Sequence, residues 1–193
     1  ASFPEGVLLD SRAFARGITN EAVLELAEYE LARTWFGWRV RPRPEAKILM
    51  GQGMGLFSLV LAAEARGQAQ RRLAIASLLE RYDEARHIAA DRRLLEPASG
   101  YSLAERISTG YRAALFLVAL EDQCGHDNLR AALQNIIRAR WSDDVGYEEL
   151  RSAVEFASQR DLAQMFRTWL IRPGIPEDFR VRYGKPANAQ DSY

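Results

Sequence analysis

Tyr29-Glu30-Leu31-Ala32-Arg33-Thr34-Trp35-Phe36-Gly37 closes a helical segment that begins upstream at Asn20. Asn20 is a helix-capping residue type, Ala22, Leu24, Leu26, Leu31 and Ala32 carry the apolar content, and Gly37 is a natural stop after Phe36. On spacing alone, Tyr29, Glu30 and Arg33 are ordinary helix-surface residues. The next segment, Arg39-Val40-Arg41-Pro42-Arg43-Pro44, holds two prolines that forbid a continuing helix. A second helix is expected from Glu45 to Arg66. It is apolar for most of its length, through Ile48, Leu49, Met50, Leu56, Phe57, Leu59, Val60 and Leu61, which predicts a central, buried position.

The same periodicity continues downstream. Helices are expected near Gln68–Ala90, Leu103–Asp122, Asp127–Arg140, Tyr147–Ser158 and Asp161–Ile171, with Glu96-Pro97-Ala98-Ser99-Gly100 as a loop. Gly6 to Leu9 reads as one short strand, and Val181 to Tyr183 as an extended segment before a loose tail. The expectation is an all-α chain with at most one short N-terminal strand: a lead-in over 1–18, a helix pair over 19–66, a helical bundle over 67–171 and an extended tail over 172–193.

The 193 residues correspond to one domain on the usual scale of ~100–200 residues each. Lysine plus arginine number 26 and aspartate plus glutamate number 26, so no net field favours nucleic acid or an anionic membrane surface. Apolar runs such as Leu115–Leu120 fall far short of the ~20 residues of a membrane span, so none is expected. Cys124, the one cysteine, has no disulfide partner within the chain, and two histidines, His87 and His126, are few for a metalloenzyme. Glu84-Ala85-Arg86-His87 has the Glu-x-x-His form of di-iron bundles but no second copy, so it reads as a solvated helix face. Cys124 and His126 do not face each other on a helix and lack a third partner for nucleophilic chemistry. The opening Ala-Ser-Phe-Pro, with no initiator methionine and no signal segment, suits a piece of a longer processed chain in an extracytoplasmic setting.

Residues 29–37 resemble the active-site helix of the aminopeptidase N family of zinc metallopeptidases, whose pattern is H-E-x-x-H followed by a Q-W-F-G-like tail. In that family two histidines one turn apart bind zinc, the glutamate after the first polarises the attacking water, and a third ligand, a glutamate in N-E-G-F, follows after eighteen intervening residues. The same interval here leads from Arg33 to Gln52, in Gly51-Gln52-Gly53-Met54. The register has no gap: Val40 and Pro42 fall where the family has V-T-P, and Gly53 where it has the glycine of N-E-G. Tyr111-Arg112-Ala113-Ala114-Leu115 is similar to the family's Y-x-K-G-A, whose tyrosine stabilises the tetrahedral intermediate. Asp161-Leu162 through Phe166, Trp169-Leu170, Gly174 and Pro176 resemble the close of the catalytic domain. Glu5 lies where a glutamate of the G-x-M-E-N strand would bind the substrate amine.

The resemblance implies the helical lobe of a thermolysin-like, neutral-protease-type gluzincin domain without its β-rich half. It also implies that the three zinc-ligand positions hold Tyr29, Arg33 and Gln52, with Glu30 and Tyr111 kept at the general-base and oxyanion positions. No metal and no cofactor is expected at such a set. Arg33 is expected to fill the place of the lost cation, held by Glu30, Gln52 or the Tyr111 hydroxyl. Arg39, Arg41 and Arg43 would rim the old cleft. The function this implies is an inactive, aminopeptidase N-like scaffold or peptide-binding module whose partners are peptide or the rest of its own chain. The alternative is an active metallopeptidase with zinc ligands elsewhere, and a third reading has the cleft filled by large side chains.

Overall fold

In the computed structural model the described residues are 2–3, 6–7, 19–34, 36, 40–139 and 144–184. Trp35, Gly37, Arg39 and Glu5, all invoked above, lie outside them. Eight α-helices dominate the described residues: α1 Asn20–Thr34, α2 Met54–Ala65, α3 Gln68–Arg86, α4 Leu103–Cys124, α5 His126–Ala139, α6 Tyr147–Ser158, α7 Ala163–Ile171 and α8 Glu177–Tyr183. The chain is all-α in class, as its periodicity predicts. Strand content is nonetheless more than the one piece expected. Ser2–Phe3 (β1) pairs antiparallel with Gly6–Val7 (β2), and Arg41–Pro42 (β3) pairs parallel with Asp144–Val145 (β4). Each strand is two residues long, and β3–β4 is a clasp that a linear reading cannot anticipate, because its halves lie a hundred residues apart.

The predicted second helix is a composite rod. A 3₁₀ turn at Pro44–Ala46 leads through Lys47 and Ile48 into a π-helical turn at Leu49–Gly53 and then into α2. By length and apolarity Pro44–Ala65 reaches what a membrane span requires, contrary to the run-length argument above, and half of it is buried within the fold. Its apolar side chains Leu49, Met50, Met54, Phe57 and Val60 belong to the core.

The most deeply buried helix is α4. Ser102 caps it reciprocally with Glu105: the Ser102 hydroxyl accepts from the Glu105 amide at 3.2 Å, and the Glu105 carboxylate accepts from the Ser102 amide at 2.8 Å. Ala113 to Leu120 are all inside. Arg112, on the same helix, is fully buried and acts as a strap. It donates to the carbonyls of Arg92 at 2.7 Å and Trp169 at 2.5 Å, and to that of Arg172, with Asp91 at 3.7 Å. Burial lowers its pKa, opposed chiefly by Asp91.

The C-terminal segment differs from expectation. Residues 177–183 form α8 rather than an extended piece, because Pro176 sets a helix start and the apolar spacing suits one face. Phe179 packs edge-on against Trp169 with ring centres 5.3 Å apart and lies 4.9 Å from Tyr183. Arg180 forks onto both oxygens of Asp83 on α3 at 2.7 and 2.9 Å. The β-branched Val181, which suggested a strand, faces solvent.

Candidate functional site

Tyr29, Glu30 and Arg33 lie on the last turns of α1, where their 3.6-residue period brings them together. Arg33 Nη1 donates to Oε1 and Oε2 of Glu30 at 3.2 and 3.3 Å. The guanidinium carbon also stands 5.5 Å from the centre of the Tyr29 ring, a cation–π distance. Glu30 is 7% exposed, so its carboxylate is held in a largely dry place with this one cation against it. Tyr29 has its pKa raised, first by burial and then by the charge of Glu30 and by Tyr111, while Arg33 pulls the other way. The phenol is therefore a neutral group near pH 7. Tyr111, on α4, is near enough to act on Tyr29 electrostatically and is partly buried against the core.

Two close approaches make this assembly possible. A Cβ at Gly55 would stand 2.6 Å from Cδ2 and Cε2 of Tyr29, so α1 seats its tyrosine against α2 only because that position is glycine. A Cβ at Gly110 on α4 would stand 2.7 Å from Oε1 of Gln52, so the π-helical turn rests its glutamine on α4 in the same way. Gln52 Oε1 is enclosed and has no hydrogen-bond donor among the described residues.

The cleft beside these residues is open. A pocket of about 290 Å³ is bounded by Arg33, Lys47, Gln52, Ser99 and Arg106, with Pro44, Ile48 and Pro97 among its apolar walls. Neither Glu30 nor Tyr111 lines it, so it lies beside the space that the third reading above concerns rather than in it. Arg33 is anchored by Glu30, and no hydrogen bond joins it to Gln52 or Tyr111. Of the arginines expected at the rim, Arg39 lies outside the described residues, and the other two point to other partners. Arg41 pairs with Asp144 at 3.2 Å and Arg43 with Glu149 at 2.5 Å, which ties β3 to β4 and α6, and neither lines the pocket. Sequence reasoning instead missed Lys47 and Arg106. A helical signal existed for both: Lys47 lies one turn before Gly51, and Arg106 one turn before Gly110.

A second polar cluster was also missed. Glu64, Glu121 and His126 bring one ligand atom each within 4.8 Å of one another. Arg71 already occupies this cluster, 2.7 Å from Glu121 and 3.5 Å from Glu64, and His126 Nδ1 lies 2.8 Å from Glu121. Burial works against the Arg71 charge, but hydrogen bonds with Glu121 and Tyr183 leave its pKa above the ordinary guanidinium value. Cys124 is buried and its thiol is pushed up to about 11 by burial, which agrees with its reading as a non-nucleophile. His87 Nδ1 meets the Asp83 carbonyl at 2.7 Å on an exposed helix end, as its solvated reading predicts.

No protein-family model matches the sequence, and no curated protein does. Solved structures do. A mutant M1 zinc metallopeptidase from Deinococcus radiodurans, bound to a Tyr-Ser-Ala substrate, aligns with a TM-score of 0.61 at 22% identity over 79% of this chain and 34% of that one. A two-domain M1 zinc metallopeptidase mutant bound to L-tryptophan aligns with a TM-score of 0.65 at 21% identity, over 80% of this chain and 35% of that one. A further structure of an M1 zinc metallopeptidase mutant from Deinococcus radiodurans gives a TM-score of 0.59 at 22% identity over 77% of this chain and 33% of that one. The chain spans about a third of the length of these structures. In fold, therefore, it is similar to the helical part of these M1 zinc metallopeptidase structures.

Proposed function

We propose that this chain is a catalytically inactive, aminopeptidase N-like domain that serves as a scaffold or peptide-binding module within a longer chain. The observation that carries the reading is the Arg33–Glu30 pair. A catalytic zinc takes about three ligands from His, Glu, Asp or Cys plus an open position. The corresponding positions here offer a phenol, a guanidinium and a carboxamide. A guanidinium has no lone pair to donate and stays protonated, so it repels a dication. Glu30, at the general-base position, is engaged by that guanidinium at 3.2 Å. This donor set does not fit zinc, and the cation supplied by the side chain balances the buried carboxylate in its place.

The enzymatic rival needs zinc ligands from other positions. Among the described residues the grouping with suitable donors is Glu64, Glu121 and His126, and it includes neither Glu30 nor Tyr111. Metal analysis of the purified protein, with hydrolysis of aminoacyl fluorogenic substrates measured with and without chelator, separates the two. The expected result is no stoichiometric zinc and no chelator-sensitive cleavage. One zinc per chain, or cleavage abolished by chelator, overturns the proposal.

A further inference from the structure

The pocket beside Arg33 has a one-sided electrostatic lining. Three cations from three parts of the chain face it: Arg33 (its Nη1 paired with Glu30) from α1, Lys47 from the start of the composite rod and Arg106 from α4. No aspartate or glutamate is among its described lining residues. In a chain with 26 basic and 26 acidic residues this is a local imbalance, not a reflection of composition. Lys47 makes no ion pair or hydrogen bond among the described residues. Arg106 makes one, from Nε to the Tyr101 carbonyl at 3.3 Å, which leaves its charge without a carboxylate. Arg41 and Arg43, close by in sequence, each have one.

We infer that this pocket binds the carboxylate of a short peptide segment, placing the anion between Arg33, Lys47 and Arg106. The inference rests on the peptide-binding reading above and specifies its ligand. The volume of about 290 Å³ lies at the low end of ligand pockets, which run from roughly 300 Å³ upward, and admits one or two amino-acid residues rather than a long peptide. Pro44, Ile48 and Pro97 provide apolar wall for the adjoining side chain, and Ser99 offers a hydroxyl. Guanidinium and ammonium donors pair well with a carboxylate, and each such charged hydrogen bond in a partly enclosed site is worth about tenfold or more in affinity. Gly51 is the open floor: a Cβ there meets nothing within 4 Å, so a larger side chain would enter the pocket without disturbing the helix beneath it.

Calorimetric titration of the whole chain at low salt tests this with four probes: N-acetyl-Ala-Ala-Ala as the free acid, its C-terminal amide, N-acetyl-Ala-Ala-Glu amide and inorganic phosphate. Acetylation removes the amine, so amine recognition does not contribute. The free acid is expected to bind at least tenfold more tightly than the amide, and Lys47→Gln and Arg106→Gln each to weaken it about tenfold. Gly51→Leu should abolish binding by occlusion, and rising salt should weaken it. Binding of the glutamate-bearing amide assigns the carboxylate to a side chain, and its failure assigns it to the chain terminus. Equal binding of acid and amide, equal binding of phosphate, or indifference to both charge substitutions overturns the inference. Zinc content measured on the same samples keeps the two proposals apart: zinc present with carboxylate binding intact defeats only the inactive-enzyme reading, whereas no zinc and no carboxylate binding defeats only this one.

Discussion

Replacing Arg33 with methionine removes the cation facing Glu30 while keeping an unbranched side chain of similar reach that still contacts the Tyr29 ring. Two limits bracket the cost. An exposed ion pair contributes about 0.2–1 kcal/mol, and stripping one partner from a fully buried pair costs about 3–5 kcal/mol. The Arg33 side chain is 37% exposed and that of Glu30 is 10% exposed, so the pair falls between. One nitrogen serves both oxygens at 3.2 and 3.3 Å, longer than the ~2.7–2.9 Å of strong charged bonds, which places it in the lower part of the range. Arg33→Met should therefore cost about 1–2 kcal/mol, or about 2–8 °C in Tm at roughly 2–4 °C per kcal/mol. Glu30→Gln still accepts a bond from Arg33 and should cost less. The double variant should be more stable than the sum of the two losses by about 1 kcal/mol, the coupling between them. Urea unfolding with an unchanged m-value is the assay. A loss under 0.5 kcal/mol for Arg33→Met, with strictly additive behaviour in the double variant, would show that the guanidinium does not compensate Glu30.

Gly55→Ala places a Cβ 2.6 Å from the Tyr29 ring and 3.2 Å from its carbonyl oxygen, so it should cost about 1–3 kcal/mol, and less in a Tyr29→Ala background where the ring is gone; a neutral urea midpoint contradicts the close α1–α2 approach. Cys124 has a folded pKa of about 11 against about 9.0 unfolded, so above pH 9 the unfolded chain binds fewer protons and stability falls as pH rises toward 11. Below pH 9 the contribution is constant, and Cys124→Ala should flatten that limb of a Tm–pH profile while leaving neutral pH little dependent on the thiol. Tyr29→His, Arg33→His and Gln52→Glu made together restore the donor types of the resembled site; about one zinc per chain by metal analysis is expected, and uptake no greater than in the parent chain would show that the three positions do not converge.

Local information was legible where one helix contains both partners. The bounds of α6 follow the sequence expectation residue for residue, and α1 departs by a single position at its start, the Thr19 carbonyl accepting from the Val23 amide, and ends at Thr34, two residues before the expected Phe36. The Arg33–Glu30 pair, expected from the resemblance and not from spacing alone, also lies within one helix, where three- and four-residue spacings fix which side chains meet. Errors fall where a neighbour is remote. Val181 and Tyr183 suggested an extended tail because their local propensity is mixed, and Phe179 against Trp169 decides otherwise. Arg43 read as part of a solvated loop at the cleft rim because its partner, Glu149, lies 106 residues away.

The resemblance to the aminopeptidase N family implies that positions 29, 33 and 52 stand in the interval of a zinc site, and the sequence by itself determined that the chain is helical and that its charges balance. These properties follow from composition and from the rise and period of a helix, which are local. Only the tertiary structure decided which charges are satisfied. Arg41, Arg43 and Arg71 are matched across the fold, whereas Lys47 and Arg106 are left facing an open pocket beside Arg33. Charge pairing depends on distances that fall off over a few ångströms, and those are set when α1, the Pro44–Ala65 rod and α4 close against one another through Gly55 and Gly110.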